Sequence, residues 1–226
     1  MNLLTATLDR VLDLAFPASC PGCRTEGQPI CAVCRASLQP ELERSPGVPI
    51  GVPGEVPPPL LQLEWAAPYG PLLRRAIHQL KYGGEQRLAR ALGALVAERW
   101  RRAGRGGDLL VPVPIHRDRR RDRGYDQAEL IARVAASMLR LPTATILERR
   151  RSTAPQFTLD RLARRGNVEG AFRVVGGATA AATVADRWVV LVDDVVTTGA
   201  TLSACATELR DAGALAVSAV AVAHER

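Results

Sequence analysis

Short apolar runs alternate with helix-like segments through most of the chain after residue 62. Apolar residues at helical spacing predict helices over residues 71–82, 86–102, 127–139 and 201–212, while apolar runs predict strands at 109–113, 145–147, 172–175, 188–192 and 215–223. The strands at 188–192 and 215–223 are almost continuously apolar, which is typical of central parallel strands covered on both faces. The pattern therefore predicts an α/β fold with a mostly parallel central sheet and flanking helices.

Two further segments precede this region. Residues 1–44 combine an amphipathic helix over 1–16 with four clustered cysteines, and residues 45–62 form a linker in which nine of the fifteen residues from 45 to 59 are Pro or Gly. We expect the main domain to span residues 63–226. No stretch approaches the about 20 apolar residues of a membrane-spanning helix, and the N-terminus lacks the basic leading region of a secretory signal. We therefore expect a cytoplasmic protein.

The end of the 188–192 run carries the most informative motif. Two carboxylates, Asp193 and Asp194, come next, and a loop containing Thr197, Thr198 and Gly199 leads into a helix near Thr201. Ligands of open α/β sheets bind at the carboxyl ends of strands, and backbone N–H groups at a helix N-terminus favour an anion. Acids and an anion site are compatible if the acids accept hydrogen bonds from sugar hydroxyls while the loop binds the phosphate of the sugar.

Two other kinds of site with acids or phosphates after a strand are disfavoured. A receiver domain needs a phosphoacceptor carboxylate on a later strand and further strands beyond it, but only 32 residues follow Asp194. A Walker-type phosphate loop needs Gly-Lys-Ser/Thr, which does not occur in the chain.

Positive charge is concentrated in the middle of the chain. Residues 99–173 hold 18 arginines and 8 carboxylates, which predicts a phosphate-rich partner, either a small polyphosphate or a nucleic acid. A solvated, arginine-rich surface is the alternative. Among 30 Lys and Arg residues, Lys81 is the one lysine, and its compact ammonium suits a diphosphate; a simple helix-end role is the alternative.

The cysteines form two pairs with metal-ligand spacing. Cys20 and Cys23 make one CxxC knuckle, and Cys31 and Cys34 make a second one seven residues later. Four thiolates predict a closed, structural zinc site, with disulfides or an iron–sulfur cluster as alternatives. Cys205 lies at helical spacing from neighbouring leucines and is predicted to be a core residue.

Several segments resemble the ComF family of phosphoribosyltransferase-like proteins. These are LKYGG at 80–84, VPVP at 111–114, RGYDQAELIA at 123–132, the spaced Gln, Leu, Arg, Asn and Phe of 156–172, and DDVVTTGAT at 193–201, together with the two cysteine pairs. The resemblance implies a type I phosphoribosyltransferase-like fold with an N-terminal zinc module. It also implies that residues 149–169 form a mobile flap over the site.

The resemblance further implies a ligand and the residues that contact it. The ligand is 5-phosphoribosyl diphosphate with Mg²⁺; the acids orient its ribose, the loop binds its 5-phosphate, and Lys81 offsets charge on the diphosphate. Arg123 and Gln127 are weaker candidates, with surface or helix-cap roles as alternatives, because Asp126 stands where the family pattern has Asn. The predicted site consists of Asp193, Asp194, Lys81, Tyr82, Gly83, Val195, Val196, Thr197, Thr198, Gly199, Ala200, Thr201, Arg123 and Gln127.

Three classes of function are consistent with these residues. The resemblance favours an enzyme that transfers phosphoribosyl to an unidentified acceptor and releases diphosphate, linked through the family to natural competence and DNA uptake. A non-catalytic ligand sensor or a competence factor that handles single-stranded DNA is the second class, and competence-machinery proteins are possible partners. A purely structural scaffold built around the zinc knuckles is the third. The oligomeric state is open.

Overall fold

A computed structural model defines residues 17–46, 56–150 and 170–225 of the chain. The helix predicted over residues 1–16, part of the predicted linker and most of the predicted flap lie outside these ranges. In the described residues, no helix is both long enough and apolar enough to cross a lipid bilayer.

Four of the six strands in the described residues form a parallel central sheet. In chain order the six strands are β1 (Leu63–Pro68), β2 (Leu109–Pro112), β3 (Leu147–Arg149), β4 (Phe172–Val174), β5 (Trp188–Val196) and β6 (Ala216–His224). The sheet has the order β1-β6-β5-β2, so β5 and β6 occupy the two central positions. This arrangement confirms the predicted parallel α/β fold and the predicted central place of the two most apolar strands.

Helices cover both faces of this sheet. They are α1 (Ala32–Ala36), α2 (Gln39–Leu42), α3 (Pro71–Tyr82), α4 (Leu88–Ala103), α5 (Arg117–Arg123), α6 (Gln127–Leu139), α7 (Gly177–Val184) and α8 (Ala200–Asp211). The predicted helices correspond to α3, α4, α6 and α8, and α6 begins and ends at the predicted residues.

Alternate side chains of β5 enter two different cores. Val190 and Val192 belong to the cluster formed with α3, α4 and α6, whereas Val189 and Leu191 belong to the cluster formed with α7 and α8. Because successive strand residues point to opposite faces, a strand covered on both sides must be apolar at every position. Cys205 of α8 is fully buried in the second cluster, which confirms its prediction as a core residue.

Strand β5 is longer than predicted. The prediction ended it before the acids, but pairing with β6 continues from Asp193 opposite Ala221 to Val196 opposite His224. The apolar run of β6 extends this far, so it provides a parallel partner for residues that the composition of β5 alone assigned to a loop. Asp193 and Asp194 are therefore strand residues with defined directions.

Four features of the main region differ from the prediction. Helix α5 has the sequence RDRRRDR, which has no apolar stripe to detect, and α7 consists mainly of small residues. Strand β1 was not identified as a strand. The strands predicted near residues 145 and 172 pair with each other in antiparallel fashion, as a separate two-stranded sheet and not as members of the parallel one.

A buried arginine connects the N-terminal segment to the main region. Arg99 of α4 is 1% exposed, and its guanidinium donates to the carboxylate of Glu64 in β1, with Nη2–Oε2 at 2.5 Å and Nε–Oε2 at 3.0 Å. It also donates to the carbonyl oxygens of Leu42, Arg44 and Ser45. All five N–H groups thus have acceptors, as a buried guanidinium requires.

Removing this arginine should destabilise the fold. In Arg99→Met, the Glu64 carboxylate stays buried without its cation, and three carbonyl oxygens lose their donors. We expect a loss of about 3–5 kcal/mol in the free energy of unfolding, measured by urea denaturation with circular dichroism. The control is Arg90→Met, an exposed arginine of the same helix, which should behave like wild type. Equal urea midpoints for the two variants would contradict a role for the Arg99 network.

Candidate functional site

The acidic pair lies at the carboxyl edge of the sheet, beyond the end of β2. The last β2 contact is the bond from Val113 N to Val192 O at 2.9 Å. Asp193 is half-buried and Asp194 is 5% exposed. The backbone N–H of Asp194 donates to Asp193 Oδ1 at 2.8 Å, which fixes the two carboxyl groups relative to each other.

Lys81 contacts this pair directly. Its Nζ lies 2.7 Å from Asp194 Oδ2, so the last turn of α3 is joined to β5 by a largely buried ion pair. Burial by itself would lower the pKa of Lys81, but the nearby carboxylates, Asp194 first and then Asp193, outweigh burial and raise it. The lysine is therefore charged at neutral pH. Lys81 and Asp194, which separate features of the sequence predicted as site residues, are thus in direct contact.

Lys81 lies in a helix and not in a phosphate-binding loop. Lys81 and Tyr82 belong to helix α3, and Gly83 is its C-cap residue. Adding a Cβ to Gly83 would place it 3.0 Å from the carbonyl oxygen of Gln79, so this helix end is a tight position. The lysine is held by Asp194, while Asp193 makes no ion pair within the described residues.

Asp193 is electrostatically disfavoured as a carboxylate. Burial and then the charge of Asp194 raise its pKa well above the ordinary value, although the hydrogen bond from Asp194 N and the charge of Lys81 act in the opposite direction. A carboxyl group held this way is suited to a ligand or cation that offsets its charge.

The loop after β5 opens helix α8. Val195 and Val196 are still strand residues, and the Val196 carbonyl accepts from Glu225 N at 2.9 Å. Thr197 is exposed, and Thr198 Oγ1 accepts a weak bond of 3.4 Å from Ala200 N. The hydroxyl groups of the two threonines are therefore available to bind a ligand. The two valines have no polar side-chain atom, so they can contribute only through their backbone positions in the strand.

Gly199 has a conformation that other residues avoid. Its φ is +76°, and a Cβ would lie 2.7 Å from Pro57 Cγ. As the N-cap of α8 it provides no side-chain hydrogen bond to the first turn, which includes Ala200 and Thr201. The first turn of this twelve-residue helix thus begins without a side-chain cap, next to the acidic pair.

A second group of predicted residues assembles around Tyr82. The Arg123 guanidinium lies over the Tyr82 ring, with Cζ 4.8 Å from the ring centroid, and its Nη1 donates to Gln127 Oε1 at 2.8 Å. Tyr82 is 67% exposed. The structure therefore brings Tyr82, Arg123 and Gln127 together at the end of α3 that also carries Lys81.

Asp126 has a clear structural function. It is the N-cap of α6: its Oδ1 accepts from Ala128 N at 2.9 Å and from Glu129 N at 3.3 Å, and its Oδ2 accepts from Ile115 N at 3.0 Å. If the β2–β5 ladder continued, the Ile115 N–H would donate to a carbonyl oxygen of β5. It donates to Asp126 instead, and the β2–β5 pairing ends there. Asparagine has one acceptor oxygen, so it could not make both kinds of contact. Burial raises the pKa of Asp126 despite these bonds.

Arg149 is a half-buried charged residue that the sequence did not single out. It is the last residue of β3; its Cζ lies 5.4 Å from the ring centroid of Phe172, and burial is the main reason that its pKa is lowered. Asp193 is among the groups that oppose this shift. Within a chain so rich in arginine, no local signal distinguishes Arg149 from its neighbours.

The four clustered cysteines converge in space. The Sγ atoms of Cys20, Cys23, Cys31 and Cys34 all lie within 4.8 Å of one another. A tetrahedral site with Zn–S bonds of about 2.3 Å needs sulfur atoms about 3.8 Å apart, so the arrangement is compatible with a structural zinc ion. Gly22 lies close to this group, since an added Cβ would be 2.4 Å from Cys34 Sγ.

The thiols have opposed proton affinities in the absence of a cation. Hydrogen bonds from Thr25 and then from Cys31 lower the pKa of Cys23 to about 6, whereas burial and the neighbouring thiols raise the pKa of Cys34 to about 12. A divalent cation would stabilise all four as thiolates. The donor set therefore fits a metal ion.

Comparison with known proteins identifies the family. Residues 126–226 match the family described as phosphoribosyl transferase domain. The DNA utilization protein YhgH of Escherichia coli K12 is 32% identical over 203 residues, covering 83% of this chain and 87% of the relative. Competence protein F of Haemophilus influenzae is 36% identical over 107 residues, covering 47% of this chain and 45% of the relative. The chain belongs to the ComF family.

A solved amidotransferase structure is also similar over part of its length. Glutamine phosphoribosylpyrophosphate amidotransferase from Bacillus subtilis is 23% identical, with a TM-score of 0.39, and the match covers 58% of this chain and 25% of that one. The predicted ComF membership is thus confirmed by the sequence relatives, and the predicted type I fold is confirmed by the family match together with the parallel sheet.

Neutralising Asp193 should stabilise the protein at neutral pH. Because folding raises the pKa of this carboxyl, the unfolded chain releases the proton first as the pH rises above about 4, and wild type loses stability over that range. The free energy of unfolding of Asp193→Asn should therefore be about 1 kcal/mol higher than that of wild type at pH 7. This difference should shrink as the pH falls toward 4. The measurement is urea unfolding at several pH values. The exposed residue Asp122 provides the control variant Asp122→Asn, and a wild type as stable as Asp193→Asn at pH 7 would contradict the expectation.

Filling the space beside Cys34 should weaken metal binding. Gly22→Ala places a methyl group against Cys34 Sγ and 3.1 Å from Leu72 Cδ1, so the thiol must move. We expect less than one zinc ion per chain after purification, measured by atomic emission, and faster loss to a chelator. The control is Gly70→Ala, where an added Cβ meets no atom nearer than the Pro68 carbonyl oxygen at 3.9 Å. Full zinc retention in Gly22→Ala would contradict this expectation, because the four thiols would then bind zinc even after Cys34 has moved.

Proposed function

We propose that the chain binds 5-phosphoribosyl diphosphate with Mg²⁺ and transfers its phosphoribosyl group to an acceptor, releasing diphosphate. The observation that carries this proposal is the Lys81–Asp194 ion pair of 2.7 Å beside Asp193 at the carboxyl edge of the sheet. It supports a site in which acids, a fixed cation and the start of a helix lie side by side. A sugar bearing phosphates on two carbons needs these three elements together.

The acids are proposed to orient the ribose. Carboxylates accept hydrogen bonds from hydroxyl groups, so Asp193 and Asp194 would hold the ribose hydroxyls while residues 197–201 bind the 5-phosphate. Thr197 and Thr198 provide hydroxyls for that phosphate, and the first turn of α8 provides N–H groups. The two ends of the ribose phosphate are then held by parts of one continuous segment.

Lys81 is proposed to act on the diphosphate, together with Mg²⁺. Mg²⁺ would be held mostly by oxygens of the diphosphate and by water. Bound there, Mg²⁺ would offset negative charge on the leaving diphosphate. Tyr82, Gly83, Arg123 and Gln127 lie at the same end of α3, which supports their assignment to the diphosphate side.

The reaction requires little covalent chemistry from the protein. The bond from the anomeric carbon to the diphosphate oxygen breaks with its electron pair going to the diphosphate, and the acceptor nucleophile forms the new bond. The proton of the acceptor leaves to solvent or to a carboxylate. The residues act by orienting the ribose and stabilising charge on the leaving group.

The remaining segments are assigned to support roles. We propose that residues 1–44 form a zinc-stabilised module, that 45–62 link it to the phosphoribosyltransferase-like region at 63–226, and that residues 149–169 close over the ligand. A cytoplasmic location would keep the four cysteines reduced for zinc.

A second candidate function is the handling of single-stranded DNA. The names of the relatives connect them with DNA utilization and competence. In this chain the supporting observation is helix α5, whose Arg117, Arg119 and Arg121 are exposed beside the site. Such a surface can contact phosphates without sequence preference. This role could coexist with ligand binding or replace catalysis.

Ligand binding is tested by calorimetric titration with phosphoribosyl diphosphate and Mg²⁺. Wild type should bind, and Asp194→Asn should weaken binding at least about tenfold, because it removes both a hydroxyl acceptor and the partner of Lys81. Lys81→Met should do the same. The control is Asp211→Asn at the far end of α8, which should leave the affinity unchanged.

Two outcomes distinguish the candidate functions. Absence of binding by folded wild type would overturn the proposed function. Salt-dependent binding of oligothymidylate that persists in a variant with both acids changed to alanine would favour the DNA-handling function.

A further inference from the structure

The end of the proline-rich linker packs against the loop that is proposed to bind the 5-phosphate. A Cβ added at Gly199 would lie 2.7 Å from Pro57 Cγ and 3.6 Å from Pro57 Cδ, and Gly199 is buried. The ring of Pro57 therefore lies directly against the α-carbon of this glycine. A side chain at position 199 would meet the ring, so glycine is required for this contact as well as for the backbone conformation.

A second contact joins the same segment to helix α8 one turn later. Ser203 Oγ donates to the carbonyl oxygen of Pro58, while Ser203 N donates to Gly199 O at 2.9 Å. Residues four apart lie on the same face of a helix. Residues 56–60, which we call the proline segment, thus lie along the face of α8 that contains its N-cap and its fourth residue.

The proline segment is attached to the sheet and to the core. Leu60 N donates to Pro57 O at 3.1 Å, which closes a turn, and the Leu60 side chain is buried in the core beside α7 and α8. Directly after it, Leu61 N donates to Val217 O of β6 at 2.8 Å. A proline has a fixed φ and loses almost no side-chain entropy on burial. Pro57 is therefore a rigid group with a fixed position.

Gly199 needs such a contact because its own backbone is weakly restrained. Its φ is +76°, and glycine reaches many other conformations at similar cost. As the N-cap of α8 it also provides no side-chain hydrogen bond to the first turn. Backbone N–H groups bind an anion most tightly when they are oriented before the ligand arrives. The Pro57 ring excludes the conformations in which Gly199 would move toward the linker.

We infer that Pro57 and Ser203 are positioning residues for the 5-phosphate, which act through the backbone of Gly199. The inference rests on the proposed function, in which residues 197–201 bind that phosphate. It gives the end of the linker a role in ligand affinity besides joining two parts of the chain. Binding of the diphosphate should not depend on these contacts, because Lys81 belongs to a different helix, α3.

The positioning role is tested by calorimetric titration of the full, zinc-loaded chain with two ligands. Ribose 5-phosphate reports on the loop, and magnesium diphosphate reports on the Lys81 side. Pro57→Ala and Ser203→Ala should each bind ribose 5-phosphate about five- to tenfold more weakly than wild type, while their affinity for magnesium diphosphate stays within about twofold of it. A loss of global stability would not change the ratio of the two affinities.

Two controls remove the same chemical groups from other positions. Pro40→Ala removes an exposed proline of α2, and Thr207→Ala removes a hydroxyl group from the next turn of α8, where it donates to Ser203 O at 3.1 Å. Both controls should bind both ligands as wild type does. A loss of ribose 5-phosphate affinity in either control as large as that in Pro57→Ala would overturn the inference.

A double-mutant cycle isolates the contact between Pro57 and Gly199. Gly199→Ala introduces backbone strain at φ +76° in any background, but the clash with the ring exists only while Pro57 is present. The loss of ribose 5-phosphate affinity caused by Gly199→Ala should therefore be at least about threefold smaller in the Pro57→Ala background than in the wild-type background. Equal losses in the two backgrounds would show that the ring does not act on Gly199.

Hydrogen exchange tests the same contact without a ligand. Amide exchange of a peptide spanning residues 197–203, followed by mass spectrometry, should be faster in Pro57→Ala than in wild type or Pro40→Ala, because the loop opens more easily without the ring. Exchange at the wild-type rate in Pro57→Ala would contradict a positioning role for the ring.

Failure of this inference and failure of the proposed function give different results. If folded wild type binds neither ligand, the proposed function is wrong, and the positioning role is wrong with it. If wild type binds both ligands and Pro57→Ala weakens both equally or neither, the positioning role alone is wrong. A selective loss of ribose 5-phosphate affinity in Pro57→Ala and Ser203→Ala supports both.

Discussion

The site depends on the unequal pairing of β5 with its two neighbours. On one side β6 stays paired to β5 as far as Val196, whereas on the other side β2 contributes its last bond at Val192. The next N–H that would face β5, that of Ile115, donates to Asp126 instead. The carboxyl end of β5 is therefore supported along one edge and released along the other. Asp193 and Asp194 occupy this half-supported stretch, which holds them rigidly while exposing one side of the strand.

The charges around this stretch are balanced by groups from distant parts of the chain. Lys81 reaches Asp194 from α3. The match is incomplete, because burial and the charge of Asp194 raise the pKa of Asp193, which makes no ion pair within the described residues. Such residual conflict is common at binding sites, where a ligand completes the set of charges. In the proposed function, ribose hydroxyls, Mg²⁺ and phosphate oxygens would supply what is missing.

The N-terminal cysteine segment is joined to the same framework. Leu38 and Leu42 enter the core formed by α3, α4 and α6, and Arg75 of α3 donates to the carbonyl oxygen of Gly22 at 3.2 Å. Helix α3 thus contacts the cysteine segment at one position and carries Lys81 at its end. Through α3 and the buried Arg99, residues 17–46 are attached to the helix layer from which the lysine projects.

Much of this protein could be predicted from its sequence because the signals are local. The continuous apolar runs of β5 and β6 determined central parallel strands, the CxxC spacing determined a four-thiol cluster, and the acids followed by threonines and glycine determined a candidate site. Tertiary structure alone decided that β5 continues through the acids, that Asp194 pairs with Lys81, and that Arg99 is buried against Glu64. These features depend on which groups become neighbours after folding, because a strand is extended by its partner and a buried charge needs an opposite charge beside it. Arg99 is one arginine among many in the sequence, and it becomes distinct only when folding buries it against Glu64.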